Sequence, residues 1–208
     1  MLYLENLLEY EMKAATESIQ VRNPVTPELR LKLIEMLCKT SPENVLSRVI
    51  SYDIPLDGSL ELVREAKIRD ASAYLEYKLG RVAKSFEEFK LIMRNSFIGF
   101  EKGVEDLNSQ EKYLSDAYFA YEMCIKICDQ ALDNPEEGKQ LYLGFLQFLI
   151  KIYIDLIEKH SDSSLEEKIL VLELLRFIFS TMIQEIIVLI ARDIGVSELF
   201  KVIDMSYD

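Results

Sequence analysis

Three short patterns that begin helices recur along this chain and constrain its fold more than any other feature. In each, an oxygen-bearing residue precedes a Pro-Glu pair: Thr26-Pro27-Glu28, Ser41-Pro42-Glu43 and Asn134-Pro135-Glu136. The oxygen can accept a hydrogen bond from an unpaired N–H of the first turn, where proline is tolerated and an acid favours the helix dipole. The patterns therefore predict three helix starts.

A fourth start and two stops are predicted by the same local chemistry. The stretch 163–167 holds two overlapping Ser-x-x-Glu capping boxes ahead of an apolar run. Gly80 and Gly195 each follow an amphipathic run, at the place where a residue in the left-handed conformation ends a helix. We expect both glycines to adopt that conformation.

Apolar residues recur at every third or fourth position between these signals, as at Leu29, Leu33 and Leu37, which is typical of one helix face. Only 7 Gly and 5 Pro occur in 208 residues, and this scarcity disfavours a turn-rich β fold. The chain is therefore predicted to be all-α. We expect helices at 2–20, 27–39, 42–52, 57–67, 69–79, 82–104, 109–132, 136–159, 164–193 and 196–205.

The helices of the first half are short and paired, which favours an α-solenoid of helical hairpins with a longer-helix C-terminal end. We expect a single helical-repeat domain over 1–208, with a soft junction near 99–108 where the charge balance shifts. The alternative is a self-contained helical bundle with a ligand-binding or enzymatic site. Its motivation is the apolar, aromatic-containing runs 141–157 and 169–190.

The net charge of −12 is spread unevenly, with 21 acidic and 10 basic residues in 101–208 but 15 and 14 in 1–100. An acidic field repels phosphate backbones and anionic headgroups, so we expect no nucleic-acid partner. Three cysteines, an odd number, and the lack of a charged-then-apolar leader argue for a cytoplasmic protein. Two apolar runs, 141–157 and 177–194, are interrupted by charges and amides, which predicts deeply buried core helices and no membrane span.

Few residues could support catalysis or bind a metal. Cys124 and Cys128 share a helix face, but only Cys38 and His160 could complete a ligand set, and nothing in the sequence brings them together. We interpret the cysteines as core residues and His160 as a residue that caps a helix end. The chain has a single His and no phosphate-binding glycine loop or nucleophile motif. We therefore expect no enzyme activity, catalytic residue, cofactor or metal.

Basic residues are concentrated in residues 64–94, where acidic residues stand among them. Such mixing favours a solvated face, with a site for an acidic partner as the alternative. The basic residues are Arg64, Lys67, Arg69, Lys78, Arg81, Lys84, Lys90 and Arg94.

The stretch 70–86, Asp-Ala-Ser-Ala-Tyr-Leu-Glu-Tyr-Lys-Leu-Gly-Arg-Val-Ala-Lys-Ser-Phe, resembles the clathrin-heavy-chain-type repeat. In that repeat an Asp-Ala helix ending in Leu-Gly precedes a second helix with small residues at its start. Small side chains let two helices approach closely, and glycine turns the chain between them. The residues assigned to this structural turn are Ala71, Ala73, Gly80, Ala83 and Ser85.

The flanking segments 33–46 and 60–66 are similar to the run that precedes this repeat in vacuolar-protein-sorting subunits of endosomal tethering complexes such as CORVET. Segments 124–128 and 194–203 also look like those subunits, so the resemblance covers 30–205. It implies part of a larger, non-catalytic scaffold in vesicle trafficking. The implied partners are other tethering-complex subunits and a Rab-type small GTPase, which would hold the protein peripherally on endosomal or vacuolar membranes.

Overall fold

The computed structural model of the chain describes residues 2–17, 25–102, 107–160 and 166–197. These residues form helices and contain no strand, which confirms the all-α prediction for the part of the chain described. A 3₁₀ turn, Pro42–Asn44, precedes α3. The helices are α1 (Leu2–Thr16), α2 (Pro27–Thr40), α3 (Val45–Ser51), α4 (Leu56–Glu65), α5 (Arg69–Lys78), α6 (Val82–Lys102), α7 (Leu107–Ala131), α8 (Pro135–His160) and α9 (Glu166–Asp193).

The predicted helix starts differ in how closely they match the structure. Pro27 and Pro135 are the first residues of α2 and α8, and the Thr26 hydroxyl oxygen accepts a hydrogen bond from the Leu29 N–H at 3.4 Å. Ser41 instead precedes the 3₁₀ turn and makes no capping hydrogen bond with its side chain. The α-helix predicted from 42 therefore begins only at Val45, because the first turn closes with the tighter 3₁₀ pattern.

Two predictions fall largely on residues outside the described ranges. The serines of the capping boxes, residues 163 and 164, lie between α8 and α9, where the structure describes nothing. The predicted tenth helix, 196–205, is described only at residues 196 and 197, which are helical.

Contacts between Cα atoms divide the chain into two compact units, unit 1 (Met1–Glu88) and unit 2 (Phe89–Asp208). The division falls within α6, before the soft junction predicted at 99–108. The single helical-repeat domain and its solenoid arrangement stay predictions.

Unit 1 has its core where α4 packs against α2 and α5, and where α3 packs against α5. Ion pairs attach α1 to this core, because Glu11 binds Arg30 of α2 and Glu5 binds Arg48 of α3 at 3.2 Å. The buried apolar residues include Leu33, Ile34, Leu37, Val45, Val49, Leu60, Val63, Ala71 and Leu75.

Unit 2 is built around α8, which packs against α7 and α9. Aromatic rings join the helices: the Phe97 ring of α6 lies 4.5 Å from that of Phe179 in α9, between centroids, and the Tyr121 ring of α7 lies 5.8 Å from that of Phe145 in α8. Aromatic pairs at these separations stabilise a core beyond the area they bury.

Candidate functional site

The turn between α5 and α6 has the hydrogen bonds of a Schellman motif, a common way for helices to end. Gly80 has φ of 75°, the left-handed conformation expected from the sequence. Its N–H donates to the Tyr77 carbonyl oxygen at 3.0 Å, and the Arg81 N–H donates to the Glu76 carbonyl oxygen at 2.9 Å. These bonds satisfy two of the carbonyl oxygens at the end of α5 that lack a partner within the helix.

Four small residues were predicted to bring α5 and α6 close together, and the structure places three of them in the core. Ala71, Ala73 and Ser85 are fully buried, and the Ser85 hydroxyl donates a hydrogen bond to the Ala73 carbonyl oxygen at 2.9 Å. Ala83 is exposed and takes no part in this buried contact, and its assignment to the repeat turn stays a prediction. It is the second residue of α6, which begins at Val82.

Glu76 is a buried carboxylate that binds several cations at once. Only 1% of its side chain is exposed, whereas its partners are about half exposed. It pairs with Arg64 of α4, with Arg81 at 3.1 Å and with Lys84 of α6 at 2.6 Å. Because burial of a carboxylate is costly unless it is paired and hydrogen-bonded, these contacts permit its position inside unit 1.

The turn between α4 and α5 repeats the Schellman pattern without a glycine. Lys67 has φ of 60°; its N–H donates to the Arg64 carbonyl oxygen, and the Ile68 N–H donates to the Val63 carbonyl oxygen, each at 3.0 Å. A side chain in this conformation costs on the order of 1 kcal/mol relative to glycine. The sequence predicted a break between helices 57–67 and 69–79, but it did not predict a left-handed residue there, because the position carries no glycine.

The turn between α4 and α5 borders a cavity of about 270 Å³ in unit 1, which we call the basic cavity. It lies beside the start of α5, where Ile68 occupies the cap position and contributes no capping hydrogen bond from its side chain. Four cations and two carboxylates line it, so its charge is positive on balance. The lining residues are Arg64, Lys67, Ile68, Arg69, Ser72, Glu76, Lys84 and Glu88.

The structure thus brings only some of the eight basic residues of the predicted cluster close together. Four of them line the basic cavity, and Arg81 reaches the same buried Glu76. The ammonium of Lys78 instead lies 5.7 Å from the Tyr74 ring centroid. In unit 2, the ammonium of Lys90 lies 5.3 Å from the Phe148 ring centroid, and Arg94 pairs with Asp155 at 3.8 Å.

The cysteines of α7 lie in the core of unit 2, as expected. Cys124 and Cys128 are fully buried, and burial raises the pKa of Cys128 to about 12. Among the described residues, no three His, Cys, Asp or Glu side chains are grouped as metal ligands would be. His160 is the last residue of α8, and its side chain lies outside the description.

One face of α9 exposes large apolar side chains, contrary to the prediction of a deeply buried helix. Phe177 is 69% exposed and Val188 63% exposed, and Leu174 lies on the same face. With Thr181 and Gln184 between them, these residues are spaced alternately by three and four positions, and we call them the apolar stripe. The opposite face of α9 is buried at Leu175, Ile178, Phe179, Met182, Ile186 and Ile190.

Two segments, Pro135–Glu158 and Val171–Asp193, are long and apolar enough to cross a membrane by length and composition. About a third of the residues in the apolar window of each are buried. Core helices of soluble proteins meet the same criterion, so it is weak evidence for a membrane span.

Comparisons of the chain with protein-family models, with curated proteins and with solved structures find no match.

Proposed function

We propose that this chain is a non-catalytic scaffold for protein–protein interactions. The observation that carries the proposal is the apolar stripe. Large apolar side chains grouped on one exposed helix face mark an interaction surface, whereas single ones scattered over a surface do not, and α9 exposes such a group. The spacing of Leu174, Phe177 and Val188 suits a partner helix, whose side chains would fit between theirs and remove them from water.

The proposed setting is an endosomal or vacuolar tethering complex. The residue pattern of 70–86 supports it through its resemblance to the clathrin-heavy-chain-type repeat. The left-handed turn at Gly80 and the buried contact between Ser85 and Ala73 are consistent with such a helical hairpin. Within such a complex we propose the role of the eighth vacuolar-protein-sorting subunit, which the residue patterns at 124–128 and 194–203 resemble. Its proposed partners are other subunits of the complex and a Rab-type small GTPase, and its proposed location is cytoplasmic, on membranes through those partners.

The test is affinity purification of the tagged chain from cells, with quantitative mass spectrometry of the bound proteins. We expect tethering-complex subunits to be enriched with the parent chain and to be reduced at least about tenfold with Phe177→Ser, which removes a large apolar contact. Tyr118→Ser is the matched control, because Tyr118 is an exposed aromatic residue of α7 that lies outside the apolar stripe, and this variant should retain the partners.

Two results would contradict this function. The first is the recovery of no tethering-complex subunit with the parent chain. The second is equal recovery with Phe177→Ser and Tyr118→Ser, which would show that the apolar stripe does not bind them. A separate flotation assay with protein-free vesicles tests the proposed location: binding of the purified chain to lipid alone would contradict attachment through partners.

A further inference from the structure

The basic cavity holds more positive charge than its own carboxylates neutralise. The Glu76 carboxylate already forms ion pairs with Arg64 and Lys84, and Glu88 is the only other acidic residue in the lining. Lys67 and Arg69 are exposed, and within the described residues their side chains make no ion pair or hydrogen bond. A concave site with walls of low dielectric concentrates the field of such charges, so it attracts anions more strongly than a flat surface does.

The backbone conformation of the turn between α4 and α5 sets the position from which the Lys67 side chain extends. Lys67 is held in the left-handed conformation by two hydrogen bonds of the turn, at a position where glycine costs less. Strain of this kind is concentrated at functional sites, where the side chain that causes it has a use. Here the side chain supplies a cation to the lining of the cavity, two residues before Arg69.

The size and chemistry of the cavity indicate the class of ligand. A volume of about 270 Å³ admits a few side chains and excludes a folded domain. The planar guanidinium of Arg69 suits a carboxylate, and Ile68 and Ser72 offer an apolar and a hydroxyl contact to a peptide. A long polyanion is disfavoured because the whole chain carries a net charge of −12.

We propose that the basic cavity binds a short acidic segment of a partner protein, with neighbouring carboxylates paired to Lys67 and Arg69. This inference rests on the proposed function and names the chemistry of one partner surface. The acidic segment is a second contact, separate in the sequence from the apolar stripe.

The experiment is fluorescence anisotropy of the purified full chain with a labelled peptide that contains Glu-Asp-Glu between Gly-Ser flanks. The comparison peptide carries Gln-Asn-Gln. We expect the acidic peptide to bind and the amide peptide to bind at least about tenfold more weakly, since charged hydrogen bonds are lost. Binding should weaken as salt rises.

The variant Lys67→Gln/Arg69→Gln should weaken binding of the acidic peptide at least about tenfold. The matched control is Lys32→Gln/Lys39→Gln, which removes two exposed cations of unit 1 that both pair with Glu35, outside the cavity. It should change the affinity less than about twofold. Arg69→Gln alone provides a test without a change at the strained turn, and it should also weaken binding.

Three outcomes would overturn the inference: equal binding of the two peptides, equal loss in the two double variants, and displacement of the peptide by inorganic phosphate at equal concentration. The last would show a general site for small anions. Because the assay uses purified components, it separates this inference from the scaffold function. If tethering-complex subunits are recovered but the acidic peptide does not bind, only the inference about the basic cavity is wrong. If the peptide binds but no such subunit is recovered, the cavity is a peptide site and the proposal that it acts in a tethering complex is wrong.

Discussion

Arg81 binds Glu76 twice: its backbone N–H donates to the Glu76 carbonyl oxygen at 2.9 Å, and its guanidinium donates to the Glu76 carboxylate at 3.1 Å. The first bond ends α5, and the second holds the buried charge. The geometry of the Gly80 turn and the charge balance of the basic cavity are therefore coupled through one residue. A substitution in the Gly80 turn should therefore alter the ion pairs of Glu76, and a substitution of Glu76 should alter the stability of the turn.

Substitution of Gly80 should destabilise unit 1 through backbone strain alone. A Cβ added at Gly80 meets no atom within 4 Å, but φ is 75° there. Gly80→Val should lower the free energy of unfolding by about 1–2 kcal/mol. Thermal unfolding followed by circular dichroism measures the change.

The control for crowding is Gly144, where an added Cβ also meets nothing within 4 Å, inside α8. Gly144→Ala should stabilise the chain by about 0.5–1 kcal/mol, because alanine is the better helix former, whereas Gly80→Ala should destabilise it. The same sign for the two alanine variants would contradict a left-handed turn at Gly80.

Lys67→Gly should raise the stability of unit 1 by about 1 kcal/mol, since glycine adopts the left-handed conformation without a steric penalty. Chemical denaturation gives the free energy. Lys67→Ala separates strain from charge, because it removes the cation and keeps the strain. If the alanine variant gains as much as the glycine variant, the gain comes from relief of charge repulsion and the strain argument fails.

Glu76→Gln should lower the free energy of unfolding by about 1–3 kcal/mol, because it removes the charge that Arg64, Arg81 and Lys84 share. The half-exposed cations retain water, which keeps the cost below that of a fully buried pair. Arg64→Ala or Lys84→Ala should each cost less than Glu76→Gln, since Glu76 keeps two cations. Denaturation of the variants side by side decides the order, and a cation variant costing more than Glu76→Gln would contradict shared pairing.

Unit 2 should lose stability at high pH through two tyrosines that are bonded to carboxylates. The Tyr121 hydroxyl donates to Glu185 at 2.8 Å, and the Tyr142 hydroxyl donates to Asp129. Burial, followed by these hydrogen bonds, raises the pKa of Tyr121 and of Tyr142 well above the ordinary value of 10.0. The unfolded chain therefore releases these protons at lower pH than the folded chain does.

The stabilising effect is complete below the unfolded tyrosine pKa and declines as pH rises beyond it towards the folded values. Equilibrium unfolding between pH 8 and pH 12 measures this decline. The variant Tyr121→Phe/Tyr142→Phe should show a shallower decline, whereas Tyr118→Phe, which removes an exposed tyrosine of α7, should leave it unchanged. A decline of equal slope in the two variants would assign the effect to other groups.

Sequence reasoning placed some elements well because their causes are local. The start of α2 at Pro27 and the left-handed Gly80 depend on hydrogen bonds and steric limits within a few residues. At Ser41 the local sequence pattern did not predict the type of helical turn correctly. Its pattern matches the start of an α-helix, yet the Ser41 side chain makes no capping hydrogen bond and the chain closes a 3₁₀ turn there.

The candidate site was harder to predict because its members are brought together only by packing. In the sequence, Glu76 is one of many acidic residues in a segment of mixed charge. Its burial between Arg64 and Lys84 depends on how α4, α5 and α6 pack together. The sequence by itself determined the helical class of the described residues and the turn at Gly80. Only the tertiary structure decided that Glu76 is buried, that Lys67 and Arg69 border a cavity, and that Phe177 is exposed. The physical reason is that the hydropathy and charge of a side chain determine which environment stabilises it, whereas the packing of distant helices determines which environment it has.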